Sequence, residues 1–178
     1  MKTYKMTIAG LERELPLCEV NEHLDIAAFV IFGDVEITVA AAKALLEKCP
    51  DFDYIVTPEA KSIPLAYEMA KQSGKPYFVC RKGPKLYMKN PVSANVHSIT
   101  TARMQTVYLD SAEGEKLRGN RVLIVDDVIS TGESLAAVNV LVKQFDANIV
   151  GQAAVLAEGD AAKRDDIIFL GELPLFFK

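Results

Sequence analysis

The stretch Val122-Leu123-Ile124-Val125-Asp126-Asp127-Val128-Ile129-Ser130-Thr131-Gly132-Glu133-Ser134 decides the fold of this chain. Its first four residues are aliphatic and three of them are β-branched, which predicts a strand buried on both faces, as in a parallel sheet. Asp126 and Asp127 follow at the carboxyl end of that strand, where open α/β sheets place their ligands. A short turn comes next, and the pattern from Leu135 to Phe145 predicts a helix. The stretch therefore predicts a strand–turn–helix unit with a ligand site at the turn.

The turn at 130–134 has the features of an anion site. A turn that opens a helix directs several backbone N–H groups at one point, at the positive end of the helix dipole. Thr131 and Ser134 add hydroxyl groups, and Gly132 lets the backbone approach a ligand closely or adopt a positive φ. An acidic pair beside such a turn suits a ligand with both hydroxyl groups and a phosphate. Ribose 5-phosphate is such a ligand.

Two other classes of protein combine a buried strand with carboxylates. Receiver domains carry their acidic pair after the first strand and need most of the domain beyond it, whereas less than a third of this chain follows Asp127. P-loop hydrolases need a Gly-x-x-x-x-Gly-Lys-Ser/Thr loop, which this sequence lacks. A purely structural role for the stretch is the remaining alternative.

The composition is that of an ordinary globular protein. The 178 residues are enough for one substantial core, and 50% of them are hydrophobic and 25% charged. The net charge of −4 argues against a nucleic-acid backbone as the main partner. The three cysteines are odd in number and show no C-x-x-C spacing, which is typical of reduced thiols. With neither a membrane-length apolar run nor a signal peptide, we expect a cytoplasmic protein that binds neither nucleic acid nor membrane.

Alternating strands and helices predict an α/β fold with a parallel central sheet and helices on both faces. The strand at 54–57, the helix at 63–72 and the strand at 76–80 form one such unit. Before them, 26–32 could be a strand, and Gly33-Asp34 starts a helix that ends at Cys49-Pro50.

The other segments have weaker signals. Residues 1–25 mix short apolar pieces with charges and predict a peripheral layer. The stretch from 83 to about 105 has no strong helix pattern, which is typical of a lid or an irregular hairpin. We expect a polar turn at 111–120, a sheet strand at 148–156, and strand-like pieces at 167–170 and 173–177.

The segment from Asp126 to Ser134 resembles the phosphoribosyl pyrophosphate (PRPP) signature of the type I phosphoribosyltransferases. That signature is an aliphatic strand, two acidic residues, two apolar residues and a small-Thr-Gly turn, and the wider resemblance covers about residues 50–158. It implies the type I fold in a single domain over 1–178, with a mobile lid at about 83–106. A small hood would come from the N-terminal layer and about 158–178. The implied activity is transfer of a 5-phosphoribosyl group from PRPP to a purine base in purine salvage, by a Mg²⁺-dependent homodimer.

The resemblance also implies roles for individual residues. Asp126 and Asp127 would bind the ribose hydroxyl groups, and the 5′-phosphate would be held by Ser130, Thr131, Gly132, Glu133 and Ser134. Pyrophosphate would be bound by two loops that contain Glu59, Ala60 and Lys61 and, after the next strand, Arg81, Lys82 and Lys85. Arg103 in the lid would close over pyrophosphate and is a catalytic candidate with the two aspartates. No protein ligand is assigned to Mg²⁺, because PRPP would hold most of its coordination shell.

The identity of the base stays open. The pieces Glu59-Ala60-Lys61 and Arg81-Lys82 look most like the adenine and xanthine branch, so adenine ranks first. The lid, however, has no carboxylate between Lys85 and Val107, which is closer to the xanthine enzymes and to the related domain of Gram-positive purine repressors. Xanthine or hypoxanthine/guanine transfer, a PRPP sensor without catalysis, and a ribose-phosphate-binding module are the alternatives. The candidates for stacking on the base are three aromatic side chains: Phe32, Phe169 and Phe176.

Overall fold

The computed structural model describes residues 2–97 and 104–178. The strands are β1 (Thr3–Ile8), β2 (Leu11–Asn21), β3 (Leu24–Ala27), β4 (Tyr54–Pro58), β5 (Tyr77–Cys80), β6 (Val92–His97), β7 (Met104–Leu109), β8 (Arg121–Ile129), β9 (Asn148–Glu158), β10 (Ile168–Leu173) and β11 (Leu175–Phe177). The helices are α1 (Val35–Lys48), α2 (Ile63–Ser73), α3 (Ser111–Leu117) and α4 (Glu133–Lys143), with a 3-10 turn at Gly159–Lys163. Within the described residues, we find no helix long and apolar enough to cross a membrane.

A parallel sheet of five strands in the order β10-β9-β8-β4-β5 forms the centre of the molecule. The strand β8 lies in the middle, and its residues 122–125 are fully buried, as the aliphatic run predicts. Alternate residues of β8 enter two different hydrophobic cores, since Leu123 packs with α1 and α2 whereas Ile124 packs with α3, α4 and β7. The α/β fold with helices on both faces is therefore confirmed.

The start of α1 is set by a polar cap. The Asp34 carboxylate accepts a hydrogen bond from the backbone N–H of Ile37 at 3.1 Å. It also forms an ion pair with Arg13, with Nε and Oδ2 2.6 Å apart. The helix ends at Lys48, before Cys49-Pro50, as predicted. The strand expected at 26–32 is shorter, because β3 ends at Ala27, where its pairing with β2 also ends.

The antiparallel sheet β1-β2-β3-β11 forms a second layer and joins the two ends of the described chain. The segment 158–178, which we expected in the hood, divides between the two sheets. Ile168–Leu173 is the edge strand of the central sheet and runs parallel to β9, whereas Leu175–Phe177 pairs with β3.

Two regions in which the sequence gives only weak signals contain regular secondary structure. In the expected lid, β6 and β7 form an antiparallel hairpin, and residues 98–103 between them lie outside the described residues. The polar turn predicted at 111–120 is wrong, because it contains α3. This helix has only seven residues, of which Gly114 and Leu117 are buried. The Phe145 ring lies so close to Gly114 that any side chain at this position would clash with it. Such a short helix shows no clear apolar periodicity.

Candidate functional site

A cleft of about 800 Å³ opens at the carboxyl edge of the central sheet. The loops after β4 and β5, the end of β8, the start of α4 and the strand β7 line it. The two predicted pyrophosphate loops meet the acidic pair there, since the lining includes Lys61, Lys82, Asp126 and Asp127, and the Ser134 hydroxyl group lies in the same lining. Residues far apart in the sequence thus meet at the carboxyl edge of the central sheet, where parallel α/β sheets bind their ligands.

The acidic pair lies in the wall of this cleft. Asp127 is only 4% exposed and Asp126 is partly buried. The backbone N–H of Asp127 donates a hydrogen bond to Asp126 Oδ1 at 2.8 Å. Burial, together with the neighbouring Asp127 carboxylate, raises the pKa of Asp126 well above the usual range of a carboxyl group. Asp126 is therefore suited to hold a proton at a pH where ordinary aspartates are ionised.

An ion pair joins the acidic pair to the loop after β4. Lys61 Nζ lies 3.0 Å from Asp127 Oδ2, and the lysine side chain is 51% exposed. The same Asp127 oxygen is buried and accepts no well-oriented hydrogen bond from the described residues. Asp127 therefore keeps acceptor capacity for the hydroxyl groups of a ligand, and Lys61 has a long, flexible stem that can turn toward an anion.

The loop after β4 is held by buried hydroxyl groups. The Thr57 hydroxyl oxygen lies 2.7 Å from the carbonyl oxygen of Val125 in β8 and 2.7 Å from the Ser62 hydroxyl oxygen. The Ser62 hydroxyl is also 2.9 Å from the carbonyl oxygen of Pro58, and the peptide bond between Glu59 and Ala60 is cis. Sequence reasoning did not single out these two hydroxyl groups, although a threonine at the end of a buried strand is a signal for such a contact.

Glu59 fastens the loops after β4 and β5 to each other. Its carboxylate accepts hydrogen bonds from the backbone N–H of Lys82 and from Arg81 Nε, the latter at 2.7 Å, and these contacts lower the pKa of Glu59. Arg81 also donates to the Tyr87 hydroxyl at 2.6 Å. Of the six residues predicted to bind pyrophosphate, Glu59, Ala60, Lys61 and Lys82 belong to the described lining of the cleft, whereas Arg81 and Lys85 do not.

The predicted phosphate turn forms a smaller cavity of about 100 Å³ beside the cleft, lined by all of Ser130, Thr131, Gly132, Glu133 and Ser134. Gly132 has φ +80°, a conformation that favours glycine, and it caps the N-terminus of α4. The Ser134 hydroxyl donates to Gln105 Oε1 at 3.3 Å, which joins the turn to β7. Gln105 is a third position that sequence reasoning missed, after Thr57 and Ser62, and its pattern gives no signal for this contact.

The remaining candidates are less closely tied to the site. Arg103 lies outside the described residues. Phe32 is 53% exposed in the loop before α1, whereas Phe169 and Phe176 are partly buried. Phe176 packs edge-on against Tyr4, with ring centres 5.1 Å apart. Of the three rings, Phe32 therefore has the most surface available to a ligand.

Comparison with known proteins identifies the family. The model of the phosphoribosyl transferase domain matches residues 34–171. HGPRTase-like protein 2 of Haloterrigena turkmenica is 39% identical over 116 residues, which are 65% of this chain and 60% of that protein. The adenine phosphoribosyltransferase of Desulforamulus reducens is 36% identical over 132 residues, 71% of this chain and 72% of that one. The purine biosynthesis transcriptional repressor PurR of Bacillus subtilis is 34% identical over 110 residues, 62% of this chain but 38% of the repressor.

Solved structures agree on the fold. The adenine phosphoribosyltransferase of Thermoanaerobacter pseudethanolicus superposes with a TM-score of 0.73 over 89% of this chain and 95% of that one, at 19% identity. At this identity the likeness supports the architecture alone. Together with the domain match and the purine-related names of its relatives, the signature around Asp126 and Asp127 leads to one conclusion: this chain belongs to the purine branch of the type I phosphoribosyltransferase family.

Proposed function

We propose that this protein transfers the 5-phosphoribosyl group from PRPP to a purine base, giving a nucleoside 5′-monophosphate and pyrophosphate. The observation that carries the proposal is the arrangement of one cleft. Asp126 lines both the cleft and the cavity of the anion turn at 130–134, and the buried Asp127 beside it pairs with Lys61 on the cleft side. PRPP has the same sequence of groups, with a 5′-phosphate, two ribose hydroxyl groups and a pyrophosphate.

In the proposed reaction the bond between C1′ and the pyrophosphate oxygen breaks, and its electron pair leaves with pyrophosphate. A ring nitrogen of the base supplies the electron pair for the new C1′–N bond, and the proton of the base is released to pyrophosphate or to solvent. The transition state has oxocarbenium character, as in glycosidic chemistry. Asp126 and Asp127 would orient the ribose through its hydroxyl groups, and Lys61 and Lys82 would stabilise the charge that develops on the pyrophosphate. The turn would hold the 5′-phosphate and so fix the position of C1′.

Mg²⁺ belongs to the proposal as a cofactor. The donor set fits this hard cation, because Asp126 and Asp127 place carboxylate oxygens, which Mg²⁺ prefers as ligands, in the lining of the cleft. The two adjacent carboxylates of Asp126 and Asp127 would face its coordination shell, directly or through water. When bound, Mg²⁺ would neutralise charge on the leaving pyrophosphate.

Adenine is the base that we propose first. The relative from Desulforamulus reducens is named an adenine phosphoribosyltransferase, and of the relatives compared above it shares the largest part of its length with this chain. A hypoxanthine/guanine phosphoribosyltransferase of Methanococcus voltae has the same 36% identity, over 114 residues, so hypoxanthine or guanine remains a specific alternative, with xanthine as a further one. The exposed Phe32 is the ring that we propose to stack on the base.

We also propose that residues 1–178 form one domain and that the protein is a cytoplasmic homodimer. The single domain is supported by β10 and β11, which follow each other closely and join different sheets. The dimer is supported by exposed apolar residues on neighbouring helices, with Val35 and Val39 on α1 and Tyr67 on α2. Light scattering after size exclusion tests the dimer, and a monomer at micromolar concentration would contradict it.

A regulatory PRPP sensor is the second candidate, since the matched part of PurR is a part of a transcriptional repressor. It shares the PRPP site with the enzyme but needs no turnover. The two candidates therefore differ in whether bound PRPP is consumed when a base is added.

The first experiment measures pyrophosphate release from PRPP and Mg²⁺ with adenine, xanthine, hypoxanthine, guanine, uracil and orotate in turn. Release with one purine supports the enzyme and identifies its substrate. Asp127→Asn is the matched control, because it keeps the shape of the side chain while removing its charge, and we expect turnover to fall at least about a hundredfold. If no base gives release but PRPP binds in calorimetry, the sensor is favoured, and absence of both contradicts the proposal.

A further inference from the structure

Arg164 is a cation outside the signature that lies against the phosphate turn. It follows the 3-10 turn after β9, at a position that the signature does not include. A Cβ atom placed on Gly132 would lie 2.8 Å from Arg164 Nη1. The guanidinium group therefore occupies the space that the missing side chain of Gly132 leaves open, directly beside the backbone that caps α4.

A series of hydrogen bonds fixes the position of Arg164. Asp166 accepts from Arg164 Nε and Nη2, both at 2.8 Å. Gln152 of β9 donates to the Asp166 carbonyl oxygen at 3.3 Å, and Asn139 of α4 donates to Gln152. The helix whose first residues form the turn is thus connected through β9 to the residue that orients the arginine.

Only one edge of the Arg164 guanidinium group takes part in the hydrogen bonds described for this residue. Its Nε and Nη2 atoms bind Asp166, whereas none of the hydrogen bonds described for Arg164 involves Nη1, the atom nearest Gly132. A cation at the positive end of a helix is placed against the helix dipole, and Asp166 offsets part of that cost. An anion in the turn would remove the conflict, because it attracts both the helix terminus and the guanidinium group.

We propose that Arg164 is a further ligand of the 5′-phosphate, which accepts a hydrogen bond from Nη1, and that Asp166 is the residue that positions it. Charge-assisted hydrogen bonds from arginine to phosphate are among the strong ones. The inference rests on the proposed function, because it takes the anion in the turn to be the 5′-phosphate of PRPP. It adds a cation to a site that otherwise relies on backbone N–H groups and hydroxyl groups.

The test compares the calorimetric affinity for ribose 5-phosphate of the wild type, Arg164→Gln, Arg164→Lys and Lys163→Gln. Lys163 is the matched control, because it is the neighbouring residue, carries the same charge and pairs with Asp160 within its own 3-10 turn. We expect Arg164→Gln to weaken binding by roughly tenfold to a hundredfold. Arg164→Lys should fall between that variant and the wild type, since it keeps the charge but loses the fork. Lys163→Gln should change the affinity less than about twofold.

A second ligand separates a local role from a general one. Pyrophosphate should bind Arg164→Gln and the wild type equally, which a variant with a disturbed fold would not do. Equal ribose 5-phosphate affinities of Arg164→Gln and Lys163→Gln would overturn the inference and leave the proposed function intact. Failure of the wild type to bind ribose 5-phosphate or PRPP would overturn both. If Arg164→Gln is unstable, Asp166→Asn provides the test, because it keeps the cation but replaces its carboxylate partner by a neutral amide with only one acceptor oxygen, and it should also weaken ribose 5-phosphate binding.

Discussion

Replacing Lys61 by methionine tests the ion pair in the middle of the cleft. Methionine keeps much of the aliphatic stem and removes the ammonium group 3.0 Å from Asp127 Oδ2. Two unit charges at that distance attract each other by about 5.5 kcal/mol at an effective dielectric constant of about 20 and by about 1.4 kcal/mol in bulk water. Asp127 is buried but half of Lys61 is exposed, so solvent screening brings the expected loss of stability to about 1–2 kcal/mol.

A double-mutant cycle isolates this pair from other effects of the substitutions. We would measure the free energy of unfolding in urea for the wild type, Lys61→Met, Asp127→Asn and the double variant at pH 7. The expected coupling is about 1–2 kcal/mol, because Lys61→Met should cost little once the carboxylate is absent. Lys82→Met is the control, since Lys82 lines the same cleft and its side chain forms none of the described ion pairs. Additive effects within about 0.5 kcal/mol would refute the reasoning.

Three further predictions concern the wall, the turn and the loop of the site. Folded Asp126, with its raised pKa, holds a proton that the unfolded chain releases, so stability should fall as pH rises above the usual carboxyl range. Asp126→Asn should not lose stability in this way when urea unfolding midpoints are measured from pH 4 to 8. The same dependence of the midpoint on pH in the wild type and the variant would contradict the prediction. Gly132→Val places a β-branched residue at φ +80° and should abolish calorimetric ribose 5-phosphate binding, whereas retained affinity would exclude the turn as the phosphate site. Thr57→Val leaves the Val125 carbonyl without its buried donor and should cost about 1–3 kcal/mol in urea unfolding, and an unchanged midpoint would contradict this.

Much of the fold could be predicted because its signals are local. The run at 122–125 is apolar throughout, since a central parallel strand is covered on both faces. Asp34 marks the start of α1 because its carboxylate reaches the N–H of a residue three positions later. The place of Ile168–Leu173 could not be predicted in this way, because the choice between two sheets depends on which strand offers a free edge.

The candidate site likewise has one part that could be predicted from local sequence and another that depends on contacts between distant segments. The acidic pair and the phosphate turn are adjacent in sequence, so their types and spacing indicate a joint role. Whether a charged side chain faces a ligand or another side chain depends on the directions of separate loops. The carboxylate of Glu59 thus binds Arg81, a contact that neither loop indicates alone. The position of Arg164 could not be predicted from the sequence either, because the path of the chain after β9 brings it close to Gly132.

The balance of charges in the cleft bears on which form of a polyanion can enter. Among its described lining residues, the carboxyl groups of Glu59, Asp126 and Asp127 accompany only two lysines, Lys61 and Lys82. This part of the wall has no excess of positive charge, so a bare anion meets repulsion as well as attraction. A polyanion that carries its own divalent cation avoids that repulsion. We therefore expect polyanions complexed with a divalent cation to bind this pocket more tightly than the same anions alone.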